Sequence, residues 1–319
     1  MSKIQKALRR LQSEPRPASR PVPDRVASVN GRARAADVAG DFVPSDLQVQ
    51  FDQEALRDAG LIAPDYHERD LADQYREIKR PLIANAYGRR VAKVESGNLI
   101  MVTSALPGEG KTFTSINLAL SMAQERDHSV LLVDADVAKP HITTILGLTE
   151  LPGLLDVVED RNSIAESFVL QTDIEGLSIL PAGLPRDNAT ELLSSTRMEQ
   201  TLRELADRFP ERLVIFDTPP LLRTSEAQVI ADLAGQVVLV VKAEDTAHAA
   251  VMEALHKLRD DQAVNLVLNQ SRKESSLGGY GYGYGYGSGS GSGQGSKPAS
   301  EPAPKTSEKQ ESIWGADDE

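Results

Sequence analysis

Residues Asn98 to Leu120 read NLIMVTSALPGEGKTFTSINLAL, and this stretch decides the fold. It opens with a short apolar run from Leu99 to Thr103, which predicts a buried strand. A glycine-containing loop follows, and Lys111 then begins a helix whose apolar residues recur at helical spacing. Strand, loop and helix in this order are the parts of a phosphate-binding P-loop. The alternative, a glycine-rich turn that happens to precede Lys-Thr, is disfavoured by this context.

The residue types of the loop each have a chemical reason. Glycines allow successive backbone N–H groups to point to one spot, where the helix dipole adds positive potential. Lys111 can then reach the β/γ-phosphates of a nucleotide, and the Thr112 hydroxyl can ligate Mg²⁺. The pattern expects glycine at its first position, where this chain has Ala105. The sequence therefore predicts ATP and Mg²⁺ as cofactors, with these cofactor-binding residues: Gly108, Glu109, Gly110, Lys111, Thr112 and Phe113.

Composition limits the possible classes of protein. The 319 residues include no cysteine, which excludes disulfides and thiolate metal sites. No apolar stretch approaches the ~18–20 residues needed to span a bilayer, and the charged N-terminus does not match a signal peptide. We therefore expect a cytoplasmic protein. Residues 1–40 carry a net charge of +6 and the remainder −18, which argues against non-specific binding to nucleic acid.

The N-terminal region divides into two predicted parts. Residues 1–13 form a short basic amphipathic helix, which either frays in solvent or docks on an anionic membrane or an acidic partner. Residues 14–45 contain five prolines and few apolar residues, and they are predicted to be a disordered linker.

From residue 46 to 275 the pattern predicts one α/β domain. A short strand near Val49 and Phe51 precedes a long helix, Asp65 to Asn85, on which Asp73, Arg76 and Lys79 lie close to one face. Such a face is by default solvated. Apolar strands then alternate with helices, which predicts a mostly parallel, doubly wound sheet covered on both faces. The predicted strands are Leu99–Thr103, Val130–Val133, Leu177–Leu180, Leu213–Phe216, Val237–Val241 and Val264–Leu268.

Acidic residues follow two of these strands. Asp134 and Asp136 come after the second strand of the alternating series, and Asp217 comes after the fourth. Ligands of such sheets bind at the carboxyl ends of the strands, where a carboxylate beside a P-loop holds Mg²⁺ directly or through water. The alternative is that these residues cap turns. We predict Lys111, Asp134, Asp136 and Asp217 as catalytic residues, and Thr112, Asp134 and Asp217 as metal ligands.

The C-terminal segment, residues 276–319, is predicted to be a flexible tether. Glycine at every second position from 279 to 295 denies that part a core, and a Pro/Ser/Glu/Lys tail lies beyond it. The segment carries four tyrosines. Because the last predicted strand ends at the edge that carries the P-loop, these phenols are interpreted as phosphorylation sites. Self-association of the Gly/Tyr repeat is the alternative. The tyrosines are Tyr280, Tyr282, Tyr284 and Tyr286.

With these features, the chain from Asp65 to Tyr286 resembles the bacterial tyrosine kinases (BY-kinases), P-loop enzymes associated with exopolysaccharide and capsule synthesis. The resemblance rests on ALPGEGKT, LLVDADVAKP, VIFDTPP and the tyrosine-rich C-terminus. The start MSKIQKALRRL, together with DADVAKP, resembles the exosortase-associated autokinases. An arginine that often follows the second acidic motif is replaced here by Ala138, with Lys139 next.

The resemblance implies ATP-dependent autophosphorylation of tyrosine, between subunits, in a split form without a fused transmembrane half. It also implies a separate membrane activator of the chain-length-determinant type, which would hold the protein at the inner membrane, and a cognate tyrosine phosphatase. The family's oligomerisation motif corresponds here to Asp73, Arg76 and Lys79. The alternative function is a septum-placing or partitioning ATPase switch. Those relatives carry a second lysine where this chain has Leu106, and they lack the tyrosine tail.

Overall fold

The computed structural model describes residues 25–30, 47–62, 69–88 and 93–271. Within these residues the strands form one nine-stranded sheet in the order β1-β2-β5-β6-β4-β7-β3-β8-β9. Only the pairs β1/β2 and β5/β6 are antiparallel. The strands are β1 Ala27–Asn30, β2 Gln48–Phe51, β3 Leu99–Ser104, β4 Ser129–Asp134, β5 Leu170–Thr172, β6 Leu177–Leu180, β7 Arg212–Asp217, β8 Gln236–Lys242 and β9 Ala263–Asn269.

Helices cover both faces of the sheet. None of those in the described ranges combines the length and apolar character that a bilayer crossing requires. One turn of 3₁₀ helix, Ala165–Phe168, precedes β5. The α-helices are α1 Gln53–Asp58, α2 Arg69–Tyr87, α3 Lys111–Ala123, α4 His141–Ile145, α5 Leu154–Glu159, α6 Ala189–Leu193, α7 Thr196–Asp207, α8 Glu226–Leu233 and α9 His248–Leu255.

The mostly parallel α/β sheet confirms the predicted fold class. All six strands of the predicted alternating series are present, each with bounds within one residue of the prediction, and the short strand at Val49 and Phe51 is β2. Strand β5 was not predicted, because three residues are too few to show a period. The predicted helix Asp65 to Asn85 corresponds to α2, which ends at Tyr87.

Alternate residues of the central strands pack into two separate cores. In β3, Ile100 and Val102 contact the core that includes the apolar face of α3. Leu99 and Met101 contact the other core, which includes α7 and α8. The central strands therefore read as continuous apolar runs, because both of their faces are buried.

The prediction that residues 14–45 form a disordered linker is wrong for residues 25–30. These residues include β1, which pairs with β2, and Val26 is fully buried, with its N–H donating to Ile145 O at 2.9 Å. This short run becomes ordered because its apolar side chains are buried when it pairs with the edge of β2, although the surrounding sequence is rich in proline. The rest of the linker, the predicted helix 1–13 and the segment 276–319 lie outside the described residues.

The prediction of a solvated charged face on α2 is wrong for Lys79. Asp73 and Arg76 form an exposed ion pair, but Lys79 is only 5% exposed. It lies in the same buried stripe as Tyr75 and Leu82, at helical spacing. Lys79 Nζ donates to Ser121 O at 2.6 Å and pairs with Glu125 at 2.8 Å. A cation thus binds the last turn of α3, where free carbonyl groups and the helix dipole favour positive charge.

We expect Lys79→Met to lower the free energy of unfolding by about 1–3 kcal/mol, because it leaves the Ser121 carbonyl without its donor. Arg76→Met is the matched control, and since its ion pair is exposed we expect a change within about 0.5 kcal/mol. Urea denaturation of the two variants measures both values. Equal losses in the two variants would contradict the structural role of Lys79.

Candidate active site

The P-loop, residues 105–112, joins β3 to α3 and depends on two glycines. Gly108 and Gly110 have φ angles of 83° and 92°, in the left-handed region that favours glycine. A Cβ at Gly110 would also lie 2.0 Å from Asn269 Nδ2. Ala105, in contrast, is fully buried, and its φ is not positive. A methyl group therefore replaces the expected glycine at this position without backbone strain.

The carbonyl groups of the P-loop bind partners outside the loop. Gln270 Nε2 donates to Gly108 O at 3.2 Å, and Asn269 Nδ2 donates to Glu109 O at 2.9 Å. The C=O of a planar trans peptide points opposite to the N–H that follows it. The N–H groups of Glu109 and Gly110 therefore point away from these amides. Together with the N-terminus of α3, they can bind an anion.

Lys111 lies among three carboxyl groups at the ends of β4 and β7. Its Nζ is 2.7 Å from Asp136 Oδ2, and both side chains are almost fully buried. Burial alone would lower the pKa of the ammonium group, but the charges of Asp217, Asp136 and Asp134 raise its pKa above the ordinary value. Lys111 therefore stays protonated at neutral pH.

Asp217 connects the end of β7 to α3. Thr112 Oγ1 donates to Asp217 Oδ2 at 2.7 Å, and Ser115 Oγ donates to Oδ1 at 3.0 Å. Burial raises the pKa of Asp217, while the charge of Lys111 and the two hydroxyl groups act in the opposite direction. The carboxyl group thus fixes the first turn of α3, next to the P-loop.

Asp134 lies opposite Asp217 in the register of β4 and β7. Its Oδ2 accepts hydrogen bonds from the Thr143 N–H and hydroxyl, both at 2.8 Å. Its Oδ1 is buried and has no hydrogen-bond partner. Burial, followed by the negative charge of Asp217, raises the pKa of Asp134 to about 7. A buried carboxyl oxygen with an open acceptor position can receive a proton or a cation.

The chemistry of these donors fits Mg²⁺. Thr112, Asp134 and Asp217 supply hydroxyl and carboxylate oxygens, the ligand type that Mg²⁺ prefers. Among the residues that the structure describes, no group of three or more His, Cys, Asp or Glu side chains forms a complete metal site. Mg²⁺ in kinase sites is commonly bound by one or two carboxylates, waters and substrate phosphates, so this incomplete set matches its requirements.

Two predicted cofactor-binding residues direct their side chains elsewhere. The Glu109 carboxylate accepts the Leu106 N–H within the loop, at 2.7 Å. The Phe113 ring packs against the core, within 4 Å of the position a Cβ on Gly60 would take. We therefore expect both residues to contact a nucleotide through the backbone. The four predicted phosphorylation sites, Tyr280, Tyr282, Tyr284 and Tyr286, lie outside the described residues.

Four polar residues of the site were not predicted from the sequence: Ser115, Thr143, Asn269 and Gln270. Asn269 ends β9 at the same edge of the sheet as Asp217 ends β7, so the rule that found the acidic residues would have found it. Ser115 lies close to Thr112 on the first turns of the helix. Thr143 shows no such signal, because its contact with Asp134 depends on how the chain returns after β4.

We expect Asp134→Asn to stabilise the metal-free, nucleotide-free protein more at pH 8 than at pH 5. The native Asp134 carboxyl, with a pKa of about 7, binds a proton more tightly than in the unfolded chain, so its contribution to stability falls as pH rises from about 4 to 7. Asparagine can accept both Thr143 hydrogen bonds without charge. The gain should grow by an amount of order 2 kcal/mol between pH 5 and 8.

Thermal unfolding at the two pH values measures this difference. The control is Asp160→Asn, which replaces an exposed carboxyl group whose pKa is lowered by the Ser163 hydroxyl. It should give no gain at pH 8. A pH-independent effect of Asp134→Asn would contradict the raised pKa.

Known proteins resemble this chain over the region that contains the P-loop. A family described as AAA domain matches residues 97–270. The tyrosine-protein kinase YwqD of Bacillus subtilis is 35% identical over 214 residues, which cover 66% of this chain and 85% of that protein. The putative tyrosine-protein kinase EpsB of Ralstonia nicotianae is 35% identical over 215 residues, which cover 66% of this chain but 28% of that protein. The chain thus spans less than a third of the longer relative.

Solved structures agree with the sequence comparisons. The kinase domain of Escherichia coli tyrosine kinase ETK has a TM-score of 0.53 and 26% identity, covering 67% of this chain and 80% of that one. The kinase domain of VpsO has a TM-score of 0.50 and 34% identity, covering 63% and 98% respectively. The family match over more than half of the chain, the relative in Bacillus subtilis, and the P-loop with its strand-end carboxylates show that this chain belongs to the bacterial tyrosine kinases.

Proposed function

We propose that this chain is an ATP-dependent protein-tyrosine autokinase that phosphorylates its own C-terminal tyrosines, with one subunit acting on another. The observation that carries this proposal is the contact of Asn269 and Gln270 with the P-loop. Tyr280 and Tyr286 lie ten and sixteen residues beyond Gln270. At ~3.3 Å per residue, this length spans at most about 33–53 Å. The chain segment that carries the four tyrosines thus begins next to the P-loop.

Charge neutralisation is the first task of the proposed site. When ATP binds, its phosphates would compete with Asp136 for the Lys111 ammonium group, and the N–H groups of Glu109 and Gly110 would donate to the same phosphates. Thr112, Asp134 and Asp217 would hold Mg²⁺, which neutralises charge on the phosphates. Phosphoryl transfer requires mainly positioning and charge stabilisation, and these residues can supply both.

Proton transfer is the second task. The tyrosine oxygen forms a bond to the γ-phosphorus, the bond from phosphorus to the bridging oxygen of ADP breaks, and the phenol proton passes to a carboxylate. A phenol with a pKa near 10 benefits from such an acceptor. Asp134 is our candidate, because its Oδ1 is buried without a hydrogen-bond partner and can accept a proton. Asp136 is the second candidate, and it becomes free when Lys111 binds phosphate.

The alternative function is an ATPase switch of the septum-placing or partitioning type, which shares the fold. Two features disfavour it. Leu106 occupies the position of the second lysine of those ATPases, and its N–H is held by Glu109. The relatives described above are named as tyrosine-protein kinases, one of them as putative. ATP hydrolysis without phosphotyrosine in the purified protein would favour the switch.

We further propose that the kinase acts in exopolysaccharide or capsule synthesis, as an exosortase-associated member of its family. It would be held at the inner membrane by a separate chain-length-determinant-type activator, and a cognate tyrosine phosphatase would reverse its phosphorylation. One similar structure is a chimerical protein named CapA2B2, with a TM-score of 0.54 and 27% identity, covering 65% of this chain and 89% of that one. Homo-oligomerisation through α2 would use the exposed Asp73 and Arg76, since Lys79 is buried.

We expect the quadruple Phe variant at Tyr280, Tyr282, Tyr284 and Tyr286 to lose nearly all autophosphorylation and to keep its affinity for Mg-ATP, because the variant removes acceptors only. Phosphosite mapping after incubation with Mg-ATP measures this. Lys111→Met controls for a contaminating kinase, and Lys257→Met is its matched control at an exposed lysine. Phosphotyrosine that persists at Tyr66, Tyr75 or Tyr87 would show that the tail is not the principal substrate.

We expect Asp134→Asn to bind Mg-ATP but to lower phosphoryl transfer by roughly a hundredfold or more, the usual contribution of a general base. Asp136→Asn should retain more transfer activity than Asp134→Asn. Single-turnover transfer and equilibrium nucleotide binding separate the two effects. Full transfer by Asp134→Asn would assign the proton acceptor to Asp136 instead.

A further inference from the structure

Glu109 is a buried carboxylate inside a loop that is built to bind anions. Its side chain contacts the backbone of the P-loop itself, and the residue is only 2% exposed. One oxygen accepts the Leu106 N–H at 2.7 Å, and the other accepts the Thr246 hydroxyl. Both donors are neutral. Burying a carboxylate is costly even when it is hydrogen-bonded, so its position beside a phosphate site requires a specific gain.

Thr246 links this carboxylate to the neighbouring strand. It lies between β8 and α9, and its hydroxyl oxygen also accepts the N–H of Lys242, the last residue of β8, at 3.2 Å. The hydroxyl thus donates to Glu109 while its own position is set by the strand. A contact that passes from the P-loop to β8 through two side chains restricts the loop more than a contact within the loop alone.

Contacts from β9 act on the same part of the P-loop. The carbonyl groups of Gly108 and Glu109 accept from Gln270 and Asn269, as described above. The Glu109 backbone is therefore bound to the last residue of β9, and its side chain to the connection that follows β8. The carboxylate also accepts the loop's own Leu106 N–H. All of these contacts are made by groups of the chain itself. They hold the N–H groups of Glu109 and Gly110 in an orientation that can bind phosphate.

We propose that Glu109 is a positioning residue of the nucleotide site, and that its hydrogen bonds to Leu106 and Thr246 preorganise the P-loop. Preorganisation lowers the ordering cost that the ligand must otherwise overcome on binding. Loss of these contacts should therefore weaken nucleotide binding and raise KM for ATP, with a much smaller effect on kcat. This inference rests on the proposed nucleotide site but not on the identity of the phosphate acceptor.

Glutamine at this position separates hydrogen bonding from charge. In Glu109→Gln the amide oxygen can accept the Leu106 N–H, and the amide nitrogen can donate to the Thr246 hydroxyl oxygen. Glu109→Ala removes both contacts. Thr246→Val keeps the side-chain shape and removes the hydroxyl that donates to Glu109 and accepts the Lys242 N–H. It tests the proposal even if Glu109→Ala does not fold. The matched control is Thr190→Val, which also removes a threonine hydroxyl that donates to a glutamate, Glu226, on the surface.

The experiment uses the full chain and two measurements. Titration with a fluorescent N-methylanthraniloyl-ADP and Mg²⁺ gives the dissociation constant, and autophosphorylation at varied ATP gives KM and kcat. For Glu109→Ala we expect the dissociation constant and KM each to rise roughly tenfold or more, and kcat to change less than about threefold. Glu109→Gln should restore both constants to within about threefold of wild type, and Thr246→Val should raise them about three- to tenfold. Thr190→Val should match wild type.

The outcomes are distinct. Unchanged nucleotide affinity in Thr246→Val, or in a folded Glu109→Ala, would overturn the proposal. So would a Glu109→Gln variant as defective as Glu109→Ala, since the charge and not the hydrogen bonds would then be responsible. A loss of stability with no change in affinity would assign Glu109 a purely structural role. If wild type binds the fluorescent nucleotide and forms no phosphotyrosine, the proposed kinase function fails, while the affinity series still decides the role of Glu109.

Discussion

The site depends on one buried ammonium group, Lys111, which faces the carboxyl groups of Asp134, Asp136 and Asp217. One positive charge among three acidic groups is not balanced. The structure reduces the imbalance with the Lys111–Asp136 ion pair, hydroxyl donors to Asp217 and a raised pKa at Asp134. A magnesium nucleotide would bring a divalent cation to the carboxylates and phosphates to the lysine. Lys111 and the three carboxyl groups are therefore suited, together, to bind a magnesium nucleotide.

Sheet topology places these groups at one point. Strands β4, β7 and β3 are adjacent, so the acidic residues that end β4 and β7 lie beside the loop that follows β3. Strands β8 and β9 lie on the other side of β3. Thr246 follows β8, Asn269 ends β9 and Gln270 comes directly after it, and all three contact the P-loop. The P-loop is thus held from both sides. On the side of β4 and β7, the carboxylates of Asp136 and Asp217 bind Lys111 and Thr112. On the side of β8 and β9, neutral side chains bind the loop itself.

Helix α2 shows how polar contacts extend this arrangement outward. Burial raises the pKa of Tyr75 to about 12, and its phenol hydrogen-bonds with Thr114 and Asn117 of α3. Lys79 binds the other end of α3 through Ser121 and Glu125. The outer helix is therefore attached to both ends of the helix that begins at the P-loop. Its exposed side keeps the Asp73–Arg76 pair, which is available to other molecules.

The sequence alone determined the parts of this protein that are encoded by neighbouring residues. The apolar runs located the central strands, the glycine spacing located the P-loop, and the acidic residues after two strands located Asp134, Asp136 and Asp217. These features could be predicted because periodicity, turn chemistry and the rule for strand ends act over a few residues. Composition likewise predicted the linker, and it failed at residues 25–30, where pairing with β2 supplies the burial that the local sequence lacks.

Only the tertiary structure decided which polar atoms meet. Lys79 and Arg76 are both basic residues three positions apart on one helix, yet one is buried against α3 and the other is exposed. Asn269 contacts the P-loop 160 residues before it in the chain. Glu109 likewise binds Thr246, which lies 137 residues after it in the chain. Such contacts depend on the order of strands in the sheet and on the return path of each connection, which no local pattern specifies.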